Sequence, residues 1–313
     1  MTRPTAFIIN GRAGPGFDAG WLDANRHAIE AIAAGGPISV VESGDQLHAA
    51  VDHALAMRCA AVVAGGGDGT LNAVASRLIH GPVAFGVLPL GTLNHFAKDL
   101  GVPLDPSAAL RSIAAGHTTT VDVGEVNGRY FLNNSSIGLY VDMVRDRERQ
   151  QTRLGRGKWL AFAWAMVGAL RRYPFMSVTL TVDGQAFVHR TPLVFVGNNA
   201  YLTEGFQIGQ RDGLRAGVLS VYVTDRAGRW RLLGLGLRAL FGRLRQAGDF
   251  RVLLATDLRI DTGHRRLRVA TDGELRRLDT PLNYRIHPLA LRVIVPAPEP
   301  EPVPASVPPS PQA

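Results

Sequence analysis

The segment Ala64-Gly65-Gly66-Gly67-Asp68-Gly69-Thr70 directly follows the apolar run Ala60-Ala61-Val62-Val63. An apolar run that ends in glycines and opens a helix is typical of the strand-to-helix turn of an α/β fold. The glycines are expected to adopt positive φ angles and to let a ligand approach the backbone. A helix that begins near Thr70 would direct unpaired N–H groups at phosphate oxygens. Because Asp68 would repel a phosphate unless a cation lay between them, the segment predicts a magnesium–polyphosphate site with Asp68 as the metal ligand.

A second turn of the same kind follows the predicted strand 84–88. It reads Pro89-Leu90-Gly91-Thr92-Leu93-Asn94 and opens a predicted helix over 93–100. Because the carboxyl ends of neighbouring parallel strands meet at one edge of a sheet, the two turns would face each other across a ligand crevice. The first turn lacks the Lys-Ser/Thr pair of a P-loop and the Gly-x-Gly-x-x-Gly spacing with a distal acid, so neither common nucleotide fingerprint fits.

Strands and helices alternate up to residue 115, which predicts a doubly wound parallel sheet. Its expected strands are 6–9, 38–41, 60–63 and 84–88, and its expected helices are 21–33, 45–57, 70–79 and 93–100. The β-rich remainder has expected strands at 121–126, 129–137, 177–182, 186–196, 218–223, 253–260, 267–270 and 282–286. We therefore predict an α/β N-terminal doubly wound parallel-sheet domain (1–117), a mainly antiparallel β, sandwich-like C-terminal domain (118–295) and a disordered proline-rich tail (296–313).

Length, charge and cysteine content limit the class of protein. The chain has 313 residues, 46% of them apolar, which is enough for two hydrophobic cores. The single cysteine, Cys59, cannot form an internal disulfide, and a reducing cytoplasm is the expected compartment. No window offers about 20 consecutive apolar residues for a membrane span, and no signal-peptide core precedes the first strand. The net charge of +8 predicts attraction to a polyanion, either an anionic membrane or a nucleic acid.

Two segments favour the membrane over the nucleic acid. Residues 158–172 form a short apolar stretch with two tryptophans between basic ends, and residues 229–245 have the pattern of a basic amphipathic helix. Each pattern also fits an ordinary helix packed on a core. We expect a cytoplasmic protein that associates peripherally with an anionic membrane surface and binds no nucleic acid, while the sequence leaves homodimer formation open.

Three motifs in this order resemble those of the diacylglycerol kinase catalytic family, which includes bacterial lipid kinases and the sphingosine kinases. They are Gly-Gly-Gly-Asp-Gly-Thr at 65–70, Pro-Leu-Gly-Thr-Leu-Asn at 89–94 and Asp-Gly-Glu at 272–274, and the resemblance spans residues 5–295. It implies a lipid kinase that uses ATP and Mg²⁺ and transfers the γ-phosphoryl group to the hydroxyl of diacylglycerol or a related lipid. An NAD kinase-like enzyme and a degenerate nucleotide- or membrane-binding regulatory protein are the alternatives that stay open.

The resemblance also implies roles for individual residues. Asp272 would be the base for the acceptor hydroxyl, with Asp68 as the rival base, and Glu274 would bind the metal or position Asp272. Asp68 would also be the metal ligand. The nucleotide-binding residues implied in this way are Asn10, Gly65, Gly66, Gly67, Asp68, Gly69, Thr70, Gly91, Thr92 and Asn94.

The chain departs from the family pattern at several positions. Gly11 replaces the proline of the family's Asn-Pro loop, and His95 stands where many members carry an aspartate of the Mg-nucleotide site. Arg215-Ala216 replaces an Asp-Asp pair, a candidate site for structural magnesium in relatives. Because alanine offers no side-chain ligand and arginine repels a cation, we expect no accessory magnesium at 212–217 unless Asp212 supplies a ligand. Magnesium would then enter with ATP.

Overall fold

The structure is a computed structural model that describes residues 3–13, 19–138, 176–201, 213–224 and 250–297. The two segments predicted to be membrane-facing helices, 158–172 and 229–245, lie outside the described residues. Asp212 and nearly all of the predicted tail also lie outside them.

The first part of the chain alternates strands and helices around a parallel sheet, as predicted. Strands β1 to β4 follow the order β2-β1-β3-β4, and every residue of β3 and β4 is buried. Complete burial of a parallel strand is typical of a sheet covered by helices on both faces. The elements are β1 (Thr5–Asn10), α1 (Ala19–Ala24), α2 (Arg26–Ala33), β2 (Ile38–Val41), α3 (Gly44–Ala56), β3 (Ala61–Gly66), α4 (Asp68–Ala75), β4 (Ala84–Pro89), α5 (His95–Asp99) and α6 (Pro106–Ala115).

The second part is an antiparallel β-sandwich, which confirms the predicted fold class. A six-stranded sheet in the order β12-β11-β10-β7-β14-β15 packs through an apolar core on strands of a second sheet. That core includes Ile137, Val196 and Val221 on one side and Leu180, Ile260 and Tyr284 on the other. The strands are β5 (Thr118–Val126), β6 (Arg129–Phe131), β7 (Asn134–Gly138), β8 (Met176–Val182), β9 (Gln185–Thr191), β10 (Leu193–Asn198), β11 (Leu219–Thr224), β12 (Phe250–Ala255), β13 (Asp257–Asp261), β14 (Arg266–Thr271), β15 (Glu274–Asp279) and β16 (Leu282–Ile294).

Strand β16 connects the two parts. Its first half pairs with β13 and β5, and after a bulge between His287 and Leu291 its second half continues along β5 and pairs in parallel with β4 at Val293. The parallel sheet and one layer of the sandwich are therefore one ten-stranded sheet. The domain boundary at 117/118 stays a prediction, and the pairing of β16 with β4 crosses it.

Asp122 holds the region where the two cores meet. Its side chain is almost fully buried, and its two carboxylate oxygens accept hydrogen bonds from the N–H groups of Gly217 at 2.7 Å and Leu289 at 2.8 Å. Asn199 Oδ1 accepts the neighbouring N–H of Ala216 at 3.1 Å. The loop at 213–217 is thus fixed by protein groups. Over the described ranges, no cluster of three or more His, Cys, Asp or Glu side chains could hold a metal ion.

Among the residues that the structure describes, no helix has the length and apolar character needed to cross a membrane.

Candidate active site

The first glycine turn differs from the expectation in its backbone angles. None of Gly65, Gly66, Gly67 and Gly69 has a positive φ angle, so the predicted left-handed conformation is wrong. The strand continues through Gly66, and Gly67, with φ −88° and ψ 178°, is the N-cap of α4, which begins at Asp68 rather than Thr70.

The glycines are needed for space instead. A Cβ on Gly66 would lie 2.6 Å from Thr70 Cβ, and a Cβ on Gly91 would lie 2.4 Å from Gly67 Cα. Such distances are far below van der Waals contact, so the second glycine turn can touch the first only because Gly91 has no side chain. The two turns therefore lie side by side at the carboxyl ends of β3 and β4 and do not face each other across a gap. The candidate crevice is the open edge of the sheet beside them, where α/β folds bind ligands.

The N-terminus of α4 opens onto this crevice. The N–H groups of its first turn have no partner within the helix, and no side chain caps them. Asn10, at the end of β1, donates from Nδ2 to Thr70 Oγ1 at 2.9 Å, and its Oδ1 accepts the N–H of Arg12 at 2.9 Å. Asn10 therefore belongs to the same crevice although Gly11 replaces the family's proline. Unpaired N–H groups at a helix N-terminus favour an anion.

Asp68 joins the two turns. Its oxygens accept the N–H groups of His95 and Phe96, each at 3.3 Å, and so cap the N-terminus of α5 from a neighbouring helix. Asn94 does not cap α5 with its side chain. It lies in the left-handed region with φ 49°, and its amide exchanges two hydrogen bonds with the backbone of Gly91. Thr92 is exposed on the same turn.

The third motif forms the turn of a β-hairpin between β14 and β15. Asp272 and Gly273 have φ angles of 47° and 84°, the two successive positive values of a type I′ turn. The Asp272 carboxylate accepts three backbone N–H groups, those of Leu132 at 2.7 Å, Asn133 at 2.8 Å and Asn134 at 3.0 Å. These bonds hold the carboxylate in one orientation at the corner between β6 and β7.

Glu274 brings this hairpin against the first glycine turn. A Cβ on Gly69 would lie 3.2 Å from Glu274 Oε1, so the carboxylate touches the first turn of α4. The other oxygen, Oε2, accepts a hydrogen bond from Arg276 Nη2 at 2.9 Å. Two motifs that are far apart in sequence thus meet, and Arg276 is a residue that the sequence analysis missed.

Three groups with clearly shifted pKa values lie outside these contacts. Burial raises the pKa of the Tyr284 phenol, whose hydroxyl is 3.1 Å from Ser135 Oγ inside the sandwich. Burial also raises the pKa of the Cys59 thiol. Hydrogen bonds from the Asp257 N–H and from Thr256 lower the pKa of Asp183, which lies on another hairpin. These shifts concern the fold rather than the crevice.

Comparison with known proteins agrees with this arrangement. A model of the diacylglycerol kinase catalytic domain matches residues 4–126, and a model of the YegS C-terminal NAD kinase beta sandwich-like domain matches residues 135–295. The chain therefore belongs to the family that joins a diacylglycerol kinase catalytic domain to a YegS-type sandwich.

Named relatives and a solved structure fit the same family. A diacylglycerol kinase of Bacillus subtilis (strain 168) is 29% identical over 64% of this chain and 66% of its own length. A Pseudomonas aeruginosa PAO1 protein named "Probable lipid kinase YegS-like" is 47% identical over 28% of this chain and 30% of its own length. The matched region thus spans between about a third and two thirds of these curated relatives. A crystal structure described as that of "a putative diacylglycerol kinase from Bacillus anthracis str. Sterne" has 25% identity and a TM-score of 0.72, covering 94% of this chain and 97% of that chain.

Proposed function

We propose that this protein is an ATP-dependent lipid kinase that transfers the γ-phosphoryl group of ATP to the hydroxyl of diacylglycerol or a related lipid. The observation that carries the proposal is the contact of Glu274 with Gly69. It sets the Asp-Gly-Glu hairpin beside the helix N-terminus that is suited to phosphate. Membership in the diacylglycerol kinase family supports the same activity.

The proposed nucleotide site lies beside the two touching glycine turns, at the N-terminus of α4. The first-turn N–H groups of α4 would receive the phosphates, and Asn10, Gly91, Thr92 and Asn94 would line the crevice beside them. Asp68 uses two hydrogen bonds to hold α5, which leaves carboxylate lone pairs for a cation. Carboxylate oxygens are the ligands that Mg²⁺ prefers, so Asp68 and Glu274 fit a magnesium ion that arrives with ATP. When bound, the ion would neutralise charge on the phosphates.

In the proposed reaction, Asp272 is the base. It accepts the proton of the lipid hydroxyl as that oxygen forms its bond to the γ-phosphorus, and the bond between the γ-phosphorus and the bridging oxygen of ADP breaks. The three N–H groups on Asp272 fix the direction of the carboxylate, and they also make it a weaker base. Glu274, two residues further, would hold the phosphate end of the site, and Asp68 remains the rival base.

We also infer a peripheral association with anionic membranes. The net charge of +8 supports it, because a positive surface is attracted to acidic lipids. Flotation with vesicles that contain phosphatidylglycerol should recover the protein at low salt and lose it at high salt. Equal recovery with neutral vesicles would contradict the electrostatic part of this proposal.

The activity is tested by phosphate transfer from γ-labelled ATP and Mg²⁺ into a lipid extract dispersed as vesicles. Wild type should yield a labelled chloroform-soluble product, and Asp68→Asn should lose about 10²-fold or more of the rate, because a proposed ligand of the magnesium ion that would neutralise the phosphates is removed. Asp45→Asn, in the first turn of α3, is the matched control and should retain the rate. Conversion of added NAD to NADP without any labelled lipid would favour the NAD kinase-like alternative. ATP binding without transfer to any acceptor would favour a regulatory module.

A further inference from the structure

Arg276 stands beside the candidate catalytic hairpin and has no part in the chemistry proposed above. It follows Glu274 by two residues on β15, so both side chains lie on the same face of the strand. Arg276 Nη2 donates to Glu274 Oε2, and Glu274 Oε1 touches the first turn of α4 at Gly69. The Glu274 carboxylate therefore lies between the Arg276 guanidinium and the N-terminus of α4.

The charges at this end of the crevice call for a cation. Asp68 begins α4 and Glu274 contacts its first turn, so two carboxylates border the proposed phosphate position. A Mg-ATP complex is itself anionic, and like charges at short range oppose binding. The glycine turn carries no lysine like that of a P-loop. Arg276, on β15, can supply the positive charge.

The ion pair that now holds Arg276 is weak enough to exchange. The Arg276 and Glu274 side chains are 49% and 45% exposed, and water screens ion pairs at such positions. A guanidinium binds two phosphate oxygens in a planar geometry, and phosphate carries more charge than one carboxylate.

We propose that Arg276 leaves Glu274 and binds the terminal phosphate of ATP, which makes it a specificity-determining residue for ATP over ADP. This inference rests on the proposed function, because it assumes that the nucleotide lies at the N-terminus of α4. The hairpin that carries Arg276 also carries Asp272, and the proposed base must face the γ-phosphate, so the guanidinium would meet the γ-phosphate of ATP before the β-phosphate of ADP. The hydrogen bonds from Arg276 would also hold the γ-phosphoryl group during its transfer to the lipid.

The test is nucleotide binding by titration calorimetry, with Mg-ATP and Mg-ADP as the probes. Arg276→Gln should weaken ATP binding about tenfold, the loss of one charge-assisted contact, and change ADP binding less than about twofold. Arg276→Lys, which keeps the charge, should recover part of the ATP affinity. Arg277→Gln is the matched control, because Arg277 is the next residue on the same strand and is exposed on its other face. It should leave both affinities unchanged.

The outcomes separate the two proposals. Wild type that binds no Mg-ATP would overturn the proposed function and this inference together. Wild type that binds ATP and phosphorylates lipid, with Arg276→Gln unchanged or equally weakened toward ATP and ADP, would overturn only the role of Arg276. An equal loss in Arg277→Gln would also overturn it, because the effect would then be one of overall charge. Thermal melts of each variant show whether a loss of ATP affinity arises from misfolding. If Arg276→Gln is misfolded, the ATP and ADP affinities of Arg276→Lys decide whether Arg276 binds the terminal phosphate.

Discussion

Two hairpins of the sandwich have the same local structure and different surroundings. Asp183-Gly184 joins β8 to β9 with φ angles of 45° and 87°, and Asp272-Gly273 joins β14 to β15 with 47° and 84°. Each aspartate accepts hydrogen bonds from a corner between two other strands. Asp183 accepts from Thr256 and from the Asp257 N–H, whereas Asp272 accepts the N–H groups of residues 132–134.

The two hairpins differ in the residue after the turn and in the surface that this residue meets. Gln185 comes after the first turn and is exposed, whereas Glu274 comes after the second and touches Gly69 of the glycine turn. The Asp-Gly pair is therefore a folding device in both places. The chemistry proposed for the second hairpin comes from the tertiary structure that surrounds it.

The strongest test of this comparison removes the same carboxylate from both hairpins. Asp272→Asn should lower kcat about 10²- to 10⁴-fold, because the proposed base is lost. Asp183→Asn should keep kcat within about twofold, since its corner lies away from the crevice contacts. Lipid phosphorylation at saturating ATP measures both. If Asp183→Asn also lost much of its kcat, the loss in Asp272→Asn would have to be attributed to a destabilised hairpin rather than to a missing base.

The next test exchanges the residues after the turns. Glu274→Gln gives the crevice hairpin the Asp-Gly-Gln sequence of the other hairpin, and we expect kcat to fall about tenfold or more because a proposed carboxylate ligand of the magnesium ion is lost. Gln185→Glu is the reciprocal change at an exposed site and should leave kcat and the melting temperature unchanged. Full activity in Glu274→Gln would remove Glu274 from the proposed site.

A smaller effect is expected when the contact itself is disturbed. Gly69→Ala places a Cβ 3.2 Å from Glu274 Oε1, so the carboxylate must shift by a few tenths of an ångström. We expect the KM for ATP to rise a few-fold, while the helix gains up to about 1 kcal/mol from the alanine. Gly44→Ala in the first turn of α3, where nothing lies within 4 Å, is the control and should show the stability gain alone. An unchanged KM in Gly69→Ala would show that this contact is dispensable.

The contribution of the Asp183 carboxylate to stability should depend on pH. Its pKa is lowered in the folded protein by the Asp257 N–H and by Thr256, so its contribution to stability is present above the unfolded pKa of about 3.9 and is lost as the pH falls through the lower folded pKa. Wild type should exceed Asp183→Asn by less than about 1 kcal/mol at pH 7, because the carboxylate is exposed. The difference should shrink as the pH falls below about 4. Urea unfolding at pH 7 and pH 3 measures it, and a difference that grows in acid would contradict the prediction.

The smallest effect concerns a third carboxylate, Asp122, which also accepts backbone N–H groups. Because Asp122 and Asn199 already bind the loop at 213–217, chelation of metal ions should change the melting temperature of the nucleotide-free protein by less than about 1 °C. Scanning calorimetry with EDTA and with Mg²⁺ measures this. A rise of several degrees in Mg²⁺ that Asp122→Asn abolishes would show a metal at this loop.

The sequence predicted elements well where the pattern was local. The buried strands of the parallel sheet and the two glycine turns could be found because apolar runs end in glycine there. Two predicted strands, 129–137 and 253–260, are each split, at the corners where Asp272 and Asp183 take the backbone N–H groups. No local sequence pattern indicates that an aspartate far away in the chain accepts these N–H groups.

Other differences have local or steric causes. The predicted strand 186–196 breaks at Pro192, which has no N–H to donate. Helix α6 was missed although Asp105 caps it by accepting the Ala108 N–H and Pro106 begins it. Strand β15 was also missed, because four of the six residues in 274–279 are charged and conceal its buried position, Leu278. The contact between Glu274 and Gly69 depends on the whole fold and so had no sequence signal.

During synthesis, the N-terminal sheet cannot be completed until strand β16 has been made. Its Val293 pairs with Phe85 on β4, so the last strand of the N-terminal sheet is made roughly two hundred residues after its neighbour. A nascent chain that ends at residue 117 would expose the β4 edge, and exposed strand edges pair with other chains. We therefore expect the N-terminal half to stay incomplete on the ribosome until β16 emerges, so that this half cannot mature before the rest of the chain is made.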